Sequence, residues 1–136
     1  MKGWFINNDG ALTLSDLNKS ETNSDAFSEN STLVRVKITK SIIGFDDVYL
    51  YASETPKINT ILGSVGIGII MNEVDDGVYS LEKGDRVFIT PYKTCNDCIP
   101  CRSGNKTGCA NLEVAGEDFD GYLREFVDAD ESSLIT

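Results

Sequence analysis

Residues 84–111 read GDRVFITPYKTCNDCIPCRSGNKTGCAN. Within them Cys95, Cys98, Cys101 and Cys109 follow the spacing C-x2-C-x2-C-x7-C, and the chain has no further cysteine and no histidine. Four thiols gathered in one stretch and used nowhere else point to a tetrahedral metal site, with zinc as its natural occupant. Each x2 spacing lets the backbone fold back so that two sulfurs reach one ion at about 2.3 Å, and Gly104 and Gly108 let the chain turn to deliver Cys109. Such a shell is closed and leaves no position for substrate or water. Ile99 is the one apolar side chain among the first three cysteines, so the lobe over 94–111 cannot build a core, and ligation has to hold it. An iron–sulfur cluster, a single iron and a disulfide pair are the competing readings. The bacterial cluster spacing continues with x3-Cys-Pro, whereas the fourth cysteine here comes after seven residues and no proline follows.

Outward from the lobe, the pattern is of short strands punctuated by turns. Leu81–Asp85 reads as a turn into a strand over Arg86–Thr90. Gly121–Val127 reads as another strand, with Tyr122 and Arg124 on one face and Leu123 and Glu125 on the other. Thr32–Ile38 has the cleanest alternation, setting Val34, Val36 and Ile38 against Arg35 and Lys37. Lys2–Ile6, an Asn-Asp-Gly turn and Ala11–Leu14 read as a hairpin. Asp46–Tyr51 reads as one or two helical turns with Asp46 as N-cap. Residues 15–31 are almost all polar, with Leu17, Ala26 and Phe27 as exceptions, and read as an exposed connector with two apolar anchors. The apolar run Ile61–Val74 carries Gly63, Gly66 and Gly68, which suits close backbone approach in a bent strand. A nucleotide loop is the weaker alternative, because Gly66-x-Gly68 lacks the third glycine and the following helix. The expected architecture is mainly β: a small barrel with one metal-stapled excursion, forming a single domain over residues 1–136.

Bulk properties narrow the partners. The 136 residues carry 12 basic and 22 acidic side chains, a formal net charge of −10. An acidic surface repels phosphate backbones and anionic lipid, so neither nucleic acid nor a membrane surface is an expected partner. The apolar start at Met1–Ile6 is too short for a signal peptide, and no run is long enough to span a membrane. A cytoplasmic location is expected, where thiols stay reduced and metal ligation is favoured over disulfides.

The lobe, preceded by Gly84-Asp85-Arg86-Val87 and followed by Gly121-Tyr122-Leu123-x-Glu125-Phe126-Val127, resembles the zinc-containing medium-chain alcohol dehydrogenases. Met1-Lys2-Gly3 with its hairpin, Leu33–Lys37 and Ile61–Ile70 resemble the start, first long strand and glycine-rich strand of that family. The resemblance implies its N-terminal GroES-like domain, a partly open β-barrel, with one structural zinc on Cys95, Cys98, Cys101 and Cys109. The departures are specific. The family's first catalytic-zinc ligand is the cysteine of a G-I-C-G-[ST]-D motif, matched here by Ser41-Ile42-Ile43-Gly44-Phe45-Asp46. Ile43 stands for the cysteine and Phe45 for the proton-relay hydroxyl, and of the motif's polar side chains Asp46 alone is retained. The family's G-H-E motif reads Gly63-Ser64-Val65, with Ser64 for the histidine and Val65 for the glutamate. Ile43 and Val65 offer no lone pairs to a metal, so no catalytic residues are expected, and the replaced positions suggest a site converted to ordinary core. No strand–GxGxxG–helix unit lies within these residues, and no NAD(P) site is expected in this chain.

Three functions are compatible with these expectations. One is a non-catalytic, zinc-stapled GroES-like module that pairs with itself as a homodimer or with a dehydrogenase-like chain. The second is the catalytic-domain fragment of an NAD(P)-dependent alcohol dehydrogenase or reductase whose cofactor domain lies elsewhere. The third is a small iron-binding redox protein.

Overall fold

The computed structural model of the chain describes residues 1–16, 33–53, 59–74 and 79–136. Most of the expected connector, including Leu17, Ala26 and Phe27, lies outside the described residues. In chain order the strands are β1 (Lys2–Ile6), β2 (Leu12–Asp16), β3 (Leu33–Ile42), β4 (Thr60–Ile61), β5 (Val65–Ile70), β6 (Arg86–Ile89), β7 (Tyr92–Lys93), β8 (Glu113–Val114), β9 (Phe126–Asp130) and β10 (Leu134–Ile135). The helices are α1 (Phe45–Ala52) and α2 (Ile99–Arg102), with 3-10 turns at Lys106–Gly108 and Glu131–Ser133. The protein is mainly β, as expected.

β1 and β2 form the hairpin, and the Asn7 side chain stabilises its turn by accepting the N–H groups of Asp9 and Ala11 at 3.0 and 2.9 Å. β1 pairs on its other side with β4, which makes a three-stranded sheet. The second sheet, in the order β10-β6-β5-β3-β9, is antiparallel throughout and curls into a half-barrel. Its concave face holds the core. Val34, Val36, Ile70, Val87, Ile89, Val127 and Leu134 pack there with Phe119 and Tyr122. Burying each such aliphatic side chain contributes about 1.5–3 kcal/mol.

β3 shows how the alternation becomes a layer. Val34 and Val36 are fully buried, while Arg35 points outward and makes a two-pronged ion pair across to Asp128 at 2.7 and 2.8 Å. The strand runs past Ile38, where the sequence pattern ends, because the pairing with β5 slips between Ile38 and Lys40. An extra residue there bends the strand and re-aims the side chains beyond it, so the alternation breaks although the pairing continues. In β5 the close approach expected of its glycines is realised. A Cβ on Gly66 would lie 2.9 Å from the Tyr122 ring, whose hydroxyl donates to the Thr90 carbonyl at 3.0 Å.

The strand expected over Gly121–Val127 is displaced to β9. Residues 121–125 instead stitch the two sheets together. Gly121, Tyr122 and Leu123 donate to the carbonyls of Ile61, Gly63 and Leu62 at 2.7–3.0 Å, and Leu123 accepts from Trp4 at 2.8 Å. The expected faces survive this: Tyr122 and Arg124 are buried, and Glu125 is exposed. Among the described residues no helix is long and apolar enough to cross a membrane.

Candidate metal centre

The cysteine lobe stands on a two-stranded neck, in which β7 pairs with β8 through Tyr92↔Val114 and Lys93↔Glu113. Cys95 follows β7. Cys98 caps α2, whose start is favoured by Pro100, since proline's fixed φ suits the first helical turn. Cys101 lies in α2, and Cys109 follows the 3-10 turn. Three returns close the loop: Arg102 donates to the Cys98 carbonyl at 3.0 Å, Asn105 to Pro100 at 2.8 Å, and Cys109 to Lys106 at 3.1 Å. Ile99 is 81% exposed, so the lobe has no apolar interior. Sulfur takes the inward positions, with Cys101 and Cys109 buried.

The four Sγ atoms all lie within 4.8 Å of one another. Cys95 Sγ is 3.5 Å from Cys109 Sγ and 4.0 Å from Cys101 Sγ. A tetrahedron of thiolates at about 2.3 Å from zinc has sulfurs about 3.8 Å apart, so these separations fit a single ion. Backbone amides support the charge such a shell would carry. Cys98 N–H points at Cys95 Sγ, and the N–H groups of Cys95 and Asn111 point at Cys109 Sγ, each at 3.4 Å. The thiols differ in their ease of ionisation. The Cys95 thiol is pulled down to about 6, first by the Asp97 backbone N–H and then by that of Cys98. Backbone N–H groups, that of Ala110 foremost, also lower the Cys98 thiol. Burial pushes the Cys101 thiol up to about 12.

A second polar cluster sits on the barrel. Asp47 is 1% exposed. Its carboxylate accepts the N–H groups of Gly44 and Gly63, each at 2.9 Å, and the Ser64 hydroxyl at 3.4 Å. It therefore ties the start of α1 to the turn before β5. That turn needs Gly63, which sits at φ 103° with the Leu123 backbone 2.9 Å from where a Cβ would project. These contacts correct the expectations at three points. Gly44 caps α1 in place of Asp46, and Asp46 is exposed. The buried acid is its neighbour Asp47, three residues after the cap, where a side chain can reach back to the capping N–H. The Gly44-x-x-Asp47 spacing is the signal for that role, and the family motif, which ends at Asp46, does not include it. Finally, the replaced positions are not ordinary core. Ile43 is 61% exposed and Phe45 93% exposed, while Ser64 and Val65 are half-buried. The lobe and the Asp47 cluster share no residue among those described.

A family profile for the alcohol dehydrogenase GroES-like domain matches residues 29–136. The starvation-sensing protein RspB of Escherichia coli is 34% identical over 95 residues, covering 68% of this chain and 28% of its own. An uncharacterized zinc-type alcohol dehydrogenase-like protein of Haemophilus influenzae is 32% identical over 105 residues, covering 74% of this chain and 29% of its own. Among solved structures, the alcohol dehydrogenase of the archaeon Aeropyrum pernix superposes with a TM-score of 0.77 at 30% identity, over 99% of this chain and 39% of its own. The chain thus spans less than a third of the length of these two curated relatives.

Proposed function

The chain belongs to the alcohol dehydrogenase GroES-like domain family, and we propose that within it this domain is a non-catalytic, zinc-stapled module. Cys95, Cys98, Cys101 and Cys109 hold one structural zinc ion, and no step of chemistry runs at that ion because its shell is closed. The observation that carries the reading is the convergence of four sulfurs at tetrahedral spacing in a lobe whose one isoleucine faces solvent. The side chains at the positions matching the family's catalytic motif support the absence of catalysis. Ile43 and Phe45 offer no metal ligand and face solvent, and Ser64 is engaged by Asp47. The domain works by association, with a second copy or with a dehydrogenase-type chain, in the cytoplasm.

Metal analysis of the purified protein, with sedimentation over a concentration series, tests this directly. One zinc per chain and a concentration-dependent dimer are expected. Iron with visible absorbance overturns the zinc assignment, and a strict monomer at high micromolar concentration removes self-association.

A second reading is favoured by the share of the relatives that the chain covers. On it, the domain is the catalytic-domain fragment of an NAD(P)-dependent alcohol dehydrogenase or reductase whose cofactor domain lies elsewhere. NAD(P)H binding by a reconstituted pair, and by neither chain alone, decides for it.

A further inference from the structure

The short helix α1 is built inside out. Of its eight residues only Asp47 is buried, held by the N–H groups of Gly44 and Gly63 and by the Ser64 hydroxyl. The apolar side chains take the opposite face. Phe45, Val48, Tyr49 and Ala52 recur at i, i+3, i+4 and i+7, the spacing of a single helical stripe, and all four are exposed. Phe45 is 93% exposed and Tyr49 75%. Ile42 and Ile43, just before the cap Gly44, are more than half exposed as well, and Tyr51 is exposed on the flank of α1. A stripe of this kind normally turns toward a core; here it turns to water.

The size of the face sets it apart from scattered surface hydrophobics. At about 200 Å2 for a whole aromatic side chain, Phe45, Tyr49 and Tyr51 leave roughly 400 Å2 in solvent. Ile42, Ile43 and Val48 carry the total past the about 300–600 Å2 of a typical monomer's largest apolar patch, toward the about 800 Å2 that each partner gives to a standard interface. The charge pattern selects the occupant. Asp46 is the only charged side chain of residues 42–51 that reaches solvent. On a chain of net charge −10, this is a face that a second acidic copy can approach with little repulsion. A partner recruited by charge would meet the acidic surface elsewhere. An uncharged apolar ridge is complemented by the same ridge turned about a two-fold axis, the commonest symmetry of homo-oligomers. Asp46 lies in the first turn, so an antiparallel pair keeps the two carboxylates at opposite ends of helices about 12 Å long.

We propose that α1 and the end of β3 are the surface through which this domain pairs with a second copy of itself, Phe45, Val48 and Tyr49 of one copy packing against those of the other across a two-fold axis. The inference rests on the reading that the domain works by association, and it names the face. It also gives a role to Ile43 and Phe45, which stand where the family's motif has polar side chains.

Sedimentation equilibrium of the full chain, with Phe45→Lys/Tyr49→Lys beside it, tests the surface. Lysine lowers the net negative charge, so a loss of pairing cannot come from added repulsion between acidic chains. The parent should dimerise, and the double variant should raise the dimer dissociation constant at least about a hundredfold, because two central aromatic anchors leave each copy. Leu14→Lys, the same charge change at an exposed site on β2, should leave it within about threefold. Added salt should tighten the dimer by screening the two acidic chains. In the parent, isotope-filtered NMR of a mixed-label sample should show contacts between Phe45 and Tyr49 rings of different copies, a readout that needs no variant to fold. A parent that stays monomeric at high micromolar concentration leaves the face to another chain and overturns self-association with it. A dimer that survives the double variant, weakens equally in Leu14→Lys, or lacks the ring contacts leaves self-association standing and refutes this surface. A dimer that loosens as salt rises is held by ion pairs and refutes it too.

Discussion

Replacing Cys109 by serine tests whether the lobe and the barrel are separate folding units. The Cys109 sulfur lies 3.5 Å from Cys95 Sγ and receives the N–H groups of Cys95 and Asn111, so it fixes both ends of the loop as well as one corner of the shell. Ligation of structural zinc is worth on the order of 10–16 kcal/mol, so one thiolate of four accounts for about 3 kcal/mol. At about 1.4 kcal/mol per factor of ten, the variant should bind zinc about two orders of magnitude more weakly. The lobe has no apolar interior to fall back on, so the amides over 94–111 should lose protection when the metal leaves. The barrel core is built from other residues, and the lobe reaches it through the short β7–β8 neck. The amides of Val36, Val87 and Ile89 should therefore stay protected. Competition against a chromophoric chelator gives the affinity, and hydrogen exchange gives the protection map. Loss of protection at Val36 and Ile89 together with the lobe would refute the separation, and unchanged zinc affinity would refute the ligand assignment.

Zinc binding should release more protons at pH 5 than at pH 8, by about one per ion or more, because Cys95 ionises near 6 and is protonated only at the lower pH. The lowered Cys98 thiol adds in the same direction, whereas Cys101 gives up a proton at both pH values. Calorimetry in buffers of different ionisation enthalpy counts these protons, and equal release at the two pH values contradicts the assignment. Asp47→Ala should cost about 2–4 kcal/mol in urea denaturation, since the N–H groups of Gly44 and Gly63 lose their acceptor. Asp46→Ala should stay within about 0.5 kcal/mol, and comparable losses for both would undo the distinction between the two acids. Gly66→Ala should cost about 1–3 kcal/mol through overpacking against the Tyr122 ring. That cost should shrink in a Tyr122→Ala background, and strictly additive losses would place the clash elsewhere.

The parts of this structure legible in sequence are those where one chemical demand dominates. Thiols at fixed spacing must meet at one point, and valines at every second position must share a face; the lobe and β3 through Ile38 obey these demands. The features that escaped were set by contacts distant in the chain. β3 continues to Ile42 because β5 accommodates a bulge, and nothing local at Thr39 announces it. Residues 121–125 look like a strand but run as a stitch between the sheets, because Leu62 and Gly63 offer carbonyls that a regular ladder would not meet. The acid pair at 46 and 47 shows the limit most sharply. Motif matching selects Asp46, whereas helix geometry selects Asp47, since the third helical residue is the one that reaches back to the cap.

On the metal-staple reading, the lobe's composition makes its folded state and its metal state one variable. Residues 102–108 are exposed throughout and Ile99 faces solvent, so no apolar burial closes this stretch, and its Arg102–Asp97 ion pair lies in solvent. A loop ordered by burial would persist, somewhat loosened, without its ion; a loop ordered by four thiolates cannot. Any surface that includes the lobe inherits that dependence.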